Sequence, residues 1–292
     1  MRAGIVTRNK DAYSSARLRQ ALAKRGIEHT CFSFPQLIAR VAYKPCFTLE
    51  RTDLTERLGT LLIRPVGRGS LEELVFRMDM LYRLQRLGTC IVNPPEAIEH
   101  CVDKYDILTI LEENGIPVPR TVVTENVREA LDAFEELGGD IVVKPLFGSR
   151  GVGATRVNDA EVASTIFKAI AFQHGVVYIQ EFVQHGCSDI RAFVVGNRAV
   201  AAMSRVAGDW KTNCSQGARP EPLKLGKSAE DLAVRSAASV ECKVAGVDIL
   251  ESPSGTFVVD VNSQPGWKGL QSVSHVDIAD EIVEYVVNEA RK

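Results

Sequence analysis

Short apolar runs bounded by turn residues alternate with stretches of helical period along the chain, which predicts an α/β protein rather than an all-α or all-β one. Residues 3–6 read as a buried strand, and 14–25 as a helix that stops at Gly26, a residue suited to a helix C-terminus. A strand is predicted over 60–63. Ser70 and Glu73 then form a capping box that opens a long helix to 86 or 87, just before Gly88. A further strand over 90–92 closes at Asn93-Pro94-Pro95. Asp103 is placed to cap the next helix, which ends at Gly115, and 116–119 form an extended connector. Strands over 121–124 and 141–144 flank a helix capped by Asn126, with Glu129 three residues on. The C-terminal part reads as strands over 176–183, 190–195 and 199–204, with Gly196-Asn197 as a tight hairpin. A helix over 228–243, strands over 246–250 and 256–261, and an amphipathic helix over 277–291 complete the pattern.

Composition narrows the class without naming a function. At 292 residues the chain is long enough for two or three packed units, and 45% hydrophobic with 25% charged residues is the balance of a globular protein. A net charge of −2 lacks the basic excess that phosphate neutralisation demands of a nucleic-acid binder. The seven cysteines are scattered with no CxxC spacing, which argues against zinc and for reduced thiols in the cytoplasm. No apolar stretch is long enough to span a membrane, and none at the N-terminus resembles a signal peptide.

Three constellations carry chemistry. Asp248 lies on one predicted strand and Asp260-Val-Asn262 on the next. Residues two apart on a strand share a face, so Asp260 and Asn262 project together, and a hairpin would bring Asp248 to them. Two carboxylates and an amide oxygen make a hard donor set suited to Mg²⁺. Lys144 ends a strand just before a loop running Phe147, Gly148, Ser149, Arg150, Gly151, Val152, Gly153. There an ammonium and backbone N–H groups can meet polyphosphate oxygens, although a glycine-rich loop alone is an ordinary turn. The glycine order differs from the dinucleotide fingerprint, and Gly226-Lys227-Ser228 lacks the earlier glycine of a P-loop. The third is the strand carrying Tyr178, Gln180, Glu181, Phe182 and Val183, whose backbone suits an adenine edge.

Taken in series, Asp103-Lys104, Lys144 with its loop, Gln180-Glu181, Asp189-Ile-Arg191, Asn213, Asp248 and Asp260-Val-Asn262 resemble the ATP-grasp superfamily. They are similar in particular to its RimK-type branch, from about residue 100 to the end. The resemblance implies an ATP-grasp fold of two α+β subdomains gripping ATP (98–180 and 181–292), preceded by a small Rossmann-like α/β domain (1–97). It implies MgATP-dependent joining of L-glutamate to a carboxylate acceptor, with two Mg²⁺ ions that Mn²⁺ could replace. Lys104 and Lys144 would contact phosphates under the 148–153 loop, Glu181 and Phe182 would line adenine beside Gln180 and Val183, and Asp189 would hold ribose. Asp248, Asp260 and Asn262 would carry the metals, Arg191, Arg205 and Asn213 would face the reacting carboxylate and the acyl phosphate, and Lys211 would belong to the ATP-binding set. Two positions depart from the branch: Asp260 stands where glutamate is usual, and Lys211-Thr-Asn213 replaces Arg-Ser-Asn.

Segments 64–70, 144–151 and 210–213 are similar to the archaeal and methylotroph-type enzymes of the branch, which implies a tetrahydromethanopterin-type pterin as acceptor. A ribosomal protein C-terminus or another small carboxylate is the rival acceptor, and a non-catalytic ATP-binding regulatory module the rival class. Arg64 and Arg68, beside glycine between a strand and a helix, are candidates for a substrate carboxylate or phosphate. Relatives in the branch imply a homo-oligomer, a dimer or tetramer.

Overall fold

The computed structural model describes residues 2–148 and 151–290. The N-terminal part holds a four-stranded parallel sheet, ordered β2-β1-β6-β7, from β1 (Arg2–Val6), β2 (Glu28–Phe32), β6 (Thr60–Ile63) and β7 (Cys90–Val92). Helices α1 (Tyr13–Lys24), α2 (Leu54–Arg57), α3 (Leu71–Arg86) and α4 (Pro95–His100) accompany it, and a small sheet of β3 (Leu37–Ala39), β4 (Phe47–Leu49) and β5 (Thr52–Asp53) covers one side. The start of α3 follows its sequence signal: the Ser70 side chain accepts from the Glu73 N–H, and Glu73 reaches back to the Ser70 N–H.

The middle of the chain forms an antiparallel sheet ordered β10-β9-β11-β8, from β8 (Thr121–Thr124), β9 (Ile141–Lys144), β10 (Thr155–Val157) and β11 (Val177–Glu181). Helices α6 (Val127–Glu136) and α7 (Ala160–Phe172) bury Phe134 and Phe167 against it. The third sheet has five antiparallel strands, ordered β14-β13-β12-β15-β16. They are β12 (Ser188–Val195), β13 (Arg198–Val206), β14 (Arg219–Pro222), β15 (Val244–Ser252) and β16 (Gly255–Asn262). Helices α5 (Lys104–Glu113) and α8 (Lys227–Ser239) share a core with this sheet, and α9 (Lys268–Val273) and α10 (Ile278–Glu289) complete the chain. Helix α8 ends four residues short of its expected bound, because Glu241 turns into the left-handed region (φ 57°) and starts the turn into β15.

The first and third sheets share one core. Ile5, Leu18, Leu22 and Val92 pack in a single cluster with Phe193, Val244, Trp267, Ile282 and Val286. At its edge Asn93, 1% exposed, acts as a buried clamp. Its Oδ1 accepts from the N–H groups of Lys243 (2.7 Å) and Val244 (2.8 Å). Its Nδ2 donates to the carbonyls of Val244 and Ser263. One amide thus joins the end of β7 to the start of β15 and to the segment after β16. Asn93→Ala would strand several buried backbone groups at once and should lower stability by roughly 3 kcal/mol or more, read as a lower urea midpoint with unchanged slope.

Candidate functional site

The five-stranded sheet brings separate parts of the chain into one polar row. Asp189 pairs across β12 and β13 with Arg205, and Arg191 stands opposite Asp248, which stands opposite Asp260. Directly opposed residues in antiparallel strands project to one face. The register shifts immediately after Asp248, leaving Val259 as an extra residue on β16. Such a bulge sharpens the local twist beside the carboxylate pair.

This row holds buried charge in balance. Arg191 Nε lies 2.6 Å from Asp248 Oδ1, and its Nη2 donates to Oδ2 at 2.9 Å. Arg205 donates both Nε and Nη2 to Asp189 and lies 2.9 Å from Asp248 Oδ1. Burial alone would favour a neutral Arg205, but Asp248 and Asp189 outweigh it and hold its pKa above the ordinary value. Gly246 makes room for this arrangement: a Cβ there would sit 2.3 Å from Arg191 Nη1. Asp260 differs from its neighbours. Asn262 Nδ2 donates to it at 3.0 Å, yet no cation among the described residues forms a salt bridge with it. Burial first, then Asp248, pushes its pKa up, while Lys104, Arg191 and Lys144 offset part of that from farther away.

The donor set fits a hard divalent cation. Two facing carboxylates, one without a contacting cation, are joined by an amide whose nitrogen is engaged with Asp260 and whose oxygen remains an acceptor. Among the described residues no three His, Cys, Asp or Glu side chains converge.

The second sheet faces the row with lysines. Lys144 Nζ donates to Gln180 Oε1 at 2.6 Å, and burial pushes its pKa down to about 8, with Asp260 offsetting part of the shift. Lys104, at the start of α5, donates to the carbonyls of Leu146 (3.3 Å) and Gly148 (2.6 Å), and burial lowers its pKa too. Asp103 caps α5 and bridges to Phe147, which ties the loop to the helix. Gly151 (φ 70°) packs against Asn213, whose Oδ1 would lie 2.3 Å from a Cβ added there. Gly153 (φ 81°) lies against Pro145. Ser149 and Arg150 lie outside the described residues. Val152 is exposed, and Lys211 Nζ sits 5.3 Å from the Trp210 ring centroid.

Some expected residues are placed otherwise. Both Asp189 oxygens go to Arg205, so this carboxylate is a buried ion-pair partner rather than an open ribose ligand. Glu181 accepts from Arg120 Nε (2.7 Å) and from the Arg120 N–H (2.9 Å). Phe182 carries the Arg156 guanidinium 3.5 Å from its ring centroid, and Val183 is buried beside it. Arg64 is not an open anion ligand: it is buried, donates to the Pro265 carbonyl at 2.8 Å and lies over Trp267. Desolvation pushes its pKa down to about 10. Arg68 is exposed. The sequence reading missed Arg120, Arg156 and the 264–267 segment, since their partners are distant in the chain. The Gln264-Pro265-Gly266 run directly after Asn262 was the one local signal for the last of these.

A family model described as the RimK-like ATP-grasp domain matches residues 101–286. Tetrahydromethanopterin:alpha-L-glutamate ligase of Methanococcus maripaludis is 33% identical, covering 100% of both chains. The protein of the same name from Methanocaldococcus jannaschii is 35% identical over 98% of both. Among solved structures, the ATP-grasp ligase PsnB, complexed with a phosphomimetic variant of minimal precursor, Mg and ADP, superposes with a TM-score of 0.77. It is 19% identical and covers 99% of this chain and 98% of its own.

Arg205→Ala would leave Asp189 and Asp248 buried with half their compensation gone. Removing one partner of such a network costs about 3–5 kcal/mol, and the loss should show as a large drop in the urea midpoint. Arg205→Lys should recover only part of it, because an ammonium cannot hold both carboxylates in fork geometry.

Proposed function

The chain belongs to the RimK-like ATP-grasp family, and from that premise we propose that it is an ATP-dependent ligase joining L-glutamate to the carboxylate of a tetrahydromethanopterin-type pterin. The observation that carries this reading is the facing Asp248–Asp260 pair, with Asp260 free of any contacting cation among the described residues and two desolvated lysines across the cleft. The acceptor carboxylate attacks the γ-phosphorus of ATP, giving an acyl phosphate and ADP. The glutamate amine then attacks the acyl carbon, and the tetrahedral intermediate expels inorganic phosphate.

Lys104 and Lys144 hold the phosphates, with the glycine-rich loop over them. Backbone groups near Glu181, Phe182 and Val183 face adenine, and Arg156 on Phe182 closes that edge. Asp248, Asp260 and Asn262 would hold Mg²⁺, two ions in our reading with Mn²⁺ able to substitute, which supply positive charge against the transferring phosphoryl group. Arg191 and Asn213 orient the reacting carboxylate and the developing oxyanion, while Arg205, buried between Asp189 and Asp248, positions Asp248. The reaction takes place in the cytoplasm. No helix among the described residues is long and apolar enough to cross a membrane.

The test is ADP release with MgATP, L-glutamate and a tetrahydromethanopterin-type acceptor, with product mass followed in parallel. A glutamate-sized gain is expected, reduced roughly a hundredfold or more in Asp260→Asn. MgATP binding without ADP from any acceptor would overturn the pterin-ligase reading and leave either another acceptor or a regulatory module.

Lys144 gives a second test. Only its ammonium holds polyphosphate, and in the ligand-free state that proton is lost as pH rises through about 8. MgATP affinity should therefore be flat at neutral pH and weaken above about 8, and Lys144→Arg should remove the part of the dependence centred near 8. The stability trend runs the other way. The folded pKa lies below the unfolded value near 10.5, so this lysine favours folding progressively more as pH rises from about 8 to 10.5.

A further inference from the structure

In the parallel sheet, β1 lies between β2 and β6, and the chain leaves β1 through α1 to reach β2 on one side before returning to β6 on the other. The carboxyl ends of β1 and β6 are therefore a topological switch point, where open α/β sheets present a crevice to ligands. Two loops line it, 7–12 after β1 and 64–70 after β6.

The crevice offers donors and has few acceptors left. Arg8 crosses the second loop at Gly67 (φ 90°), where an added Cβ would come within 3.0 Å of Arg8 Cδ. Arg68 is exposed on the same loop. Arg77 takes the carbonyls of Val66 and Arg68, which draws the loop's acceptors inward. The nearby acids are committed: Glu73 to Arg77 and the Ser70 N–H, and Asp11 to Arg19. Arg8 and Arg68 have no acidic partner among the described residues.

A buried donor marks the inner end. Gln264 Oε1 accepts from the Val66 N–H at 3.2 Å, which places the same amide's Nε2 against this loop, where it is buried without an acceptor. An unpaired buried donor is costly and signals a missing acceptor. Gln264 follows Asn262 by two residues, so a short stretch of chain joins this loop to the end of β16.

We propose that this crevice binds a second oxyanion of the acceptor, a carboxylate or phosphate other than the reacting one, through Arg8, Arg68 and Gln264 Nε2. A donor-only crevice suits a purely anionic group better than a zwitterionic amino acid, whose ammonium would find no acid there. The inference rests on the ligase reading and adds a determinant of acceptor choice.

The test is acceptor saturation kinetics of the Arg8→Ala/Arg68→Ala variant. Losing charge-assisted hydrogen bonds should raise the acceptor KM by about tenfold or more, with kcat and the KM values for ATP and glutamate nearly unchanged. Arg8→Lys/Arg68→Lys should fall between, which a merely structural role would not produce. If wild type turns over and the alanine variant matches it, or if the glutamate KM rises instead, the inference fails while the ligase reading stands. If wild type turns over no acceptor, calorimetric titration with glutarate and with inorganic phosphate decides the crevice alone. Binding lost in the alanine variant supports it, and binding that is absent or equal in both overturns it.

Discussion

Buried carboxylates cannot stand uncompensated in a low-dielectric setting, and the five-stranded sheet puts three carboxylates on one face, Asp189 and Asp248 buried and Asp260 half-buried. Arg205 and Arg191 neutralise the first two, and the local structure follows from fitting those guanidinium groups between the strands. Gly246 is bare because Arg191 lies where its Cβ would be. What remains after this pairing is Asp260, braced by an amide and facing another carboxylate. The function reading depends on that residual charge, because it is what a cation would satisfy.

The N-terminal part is bound to this centre by polar links as well as by apolar packing. Asn93 holds the start of β15, while Arg64 and the Val66 N–H hold the segment after β16. Both segments flank the carboxylate strands at their ends. The parallel sheet is therefore joined to the carboxylate strands through short connections. That explains why an arginine in a glycine-rich loop is spent internally: placed over Trp267, Arg64 sets the distance between the two sheets at the cost of a desolvated guanidinium.

Much of the fold was legible where local rules and tertiary need agree. The runs 60–63, 90–92, 121–124 and 141–144 are strands to the residue, and the caps at Ser70, Asp103 and Asn126 accept from backbone N–H groups as expected. The misses have physical causes. β14 carries two prolines in Arg219–Pro222, a poor strand signal tolerated because it is an edge strand. α7 is the exception: Ala163, Ile166, Phe167 and Ile170 recur at helical spacing behind the Asp159 cap, so a local signal was present. Asp189 pairs with a residue sixteen positions away across a hairpin, and Arg64 with one two hundred positions away, so neither partner could be read from neighbours.

The cations of the site divide by chemistry. Arg191 and Arg205 sit in contact with carboxylates, where a group that stays protonated is needed to keep the sheet intact. Lys104 and Lys144 contact only carbonyl and amide oxygens, and burial lowers the pKa of both. Neutral partners hold a lysine in place without consuming its charge, so both ammonium groups are bound by weak bonds rather than ion pairs. Desolvation is the cost of that readiness, and it is recovered when the anion binds. The same logic separates Asp260 from Asp248: one carboxylate already contacts two guanidinium groups, and the other is braced only by an amide.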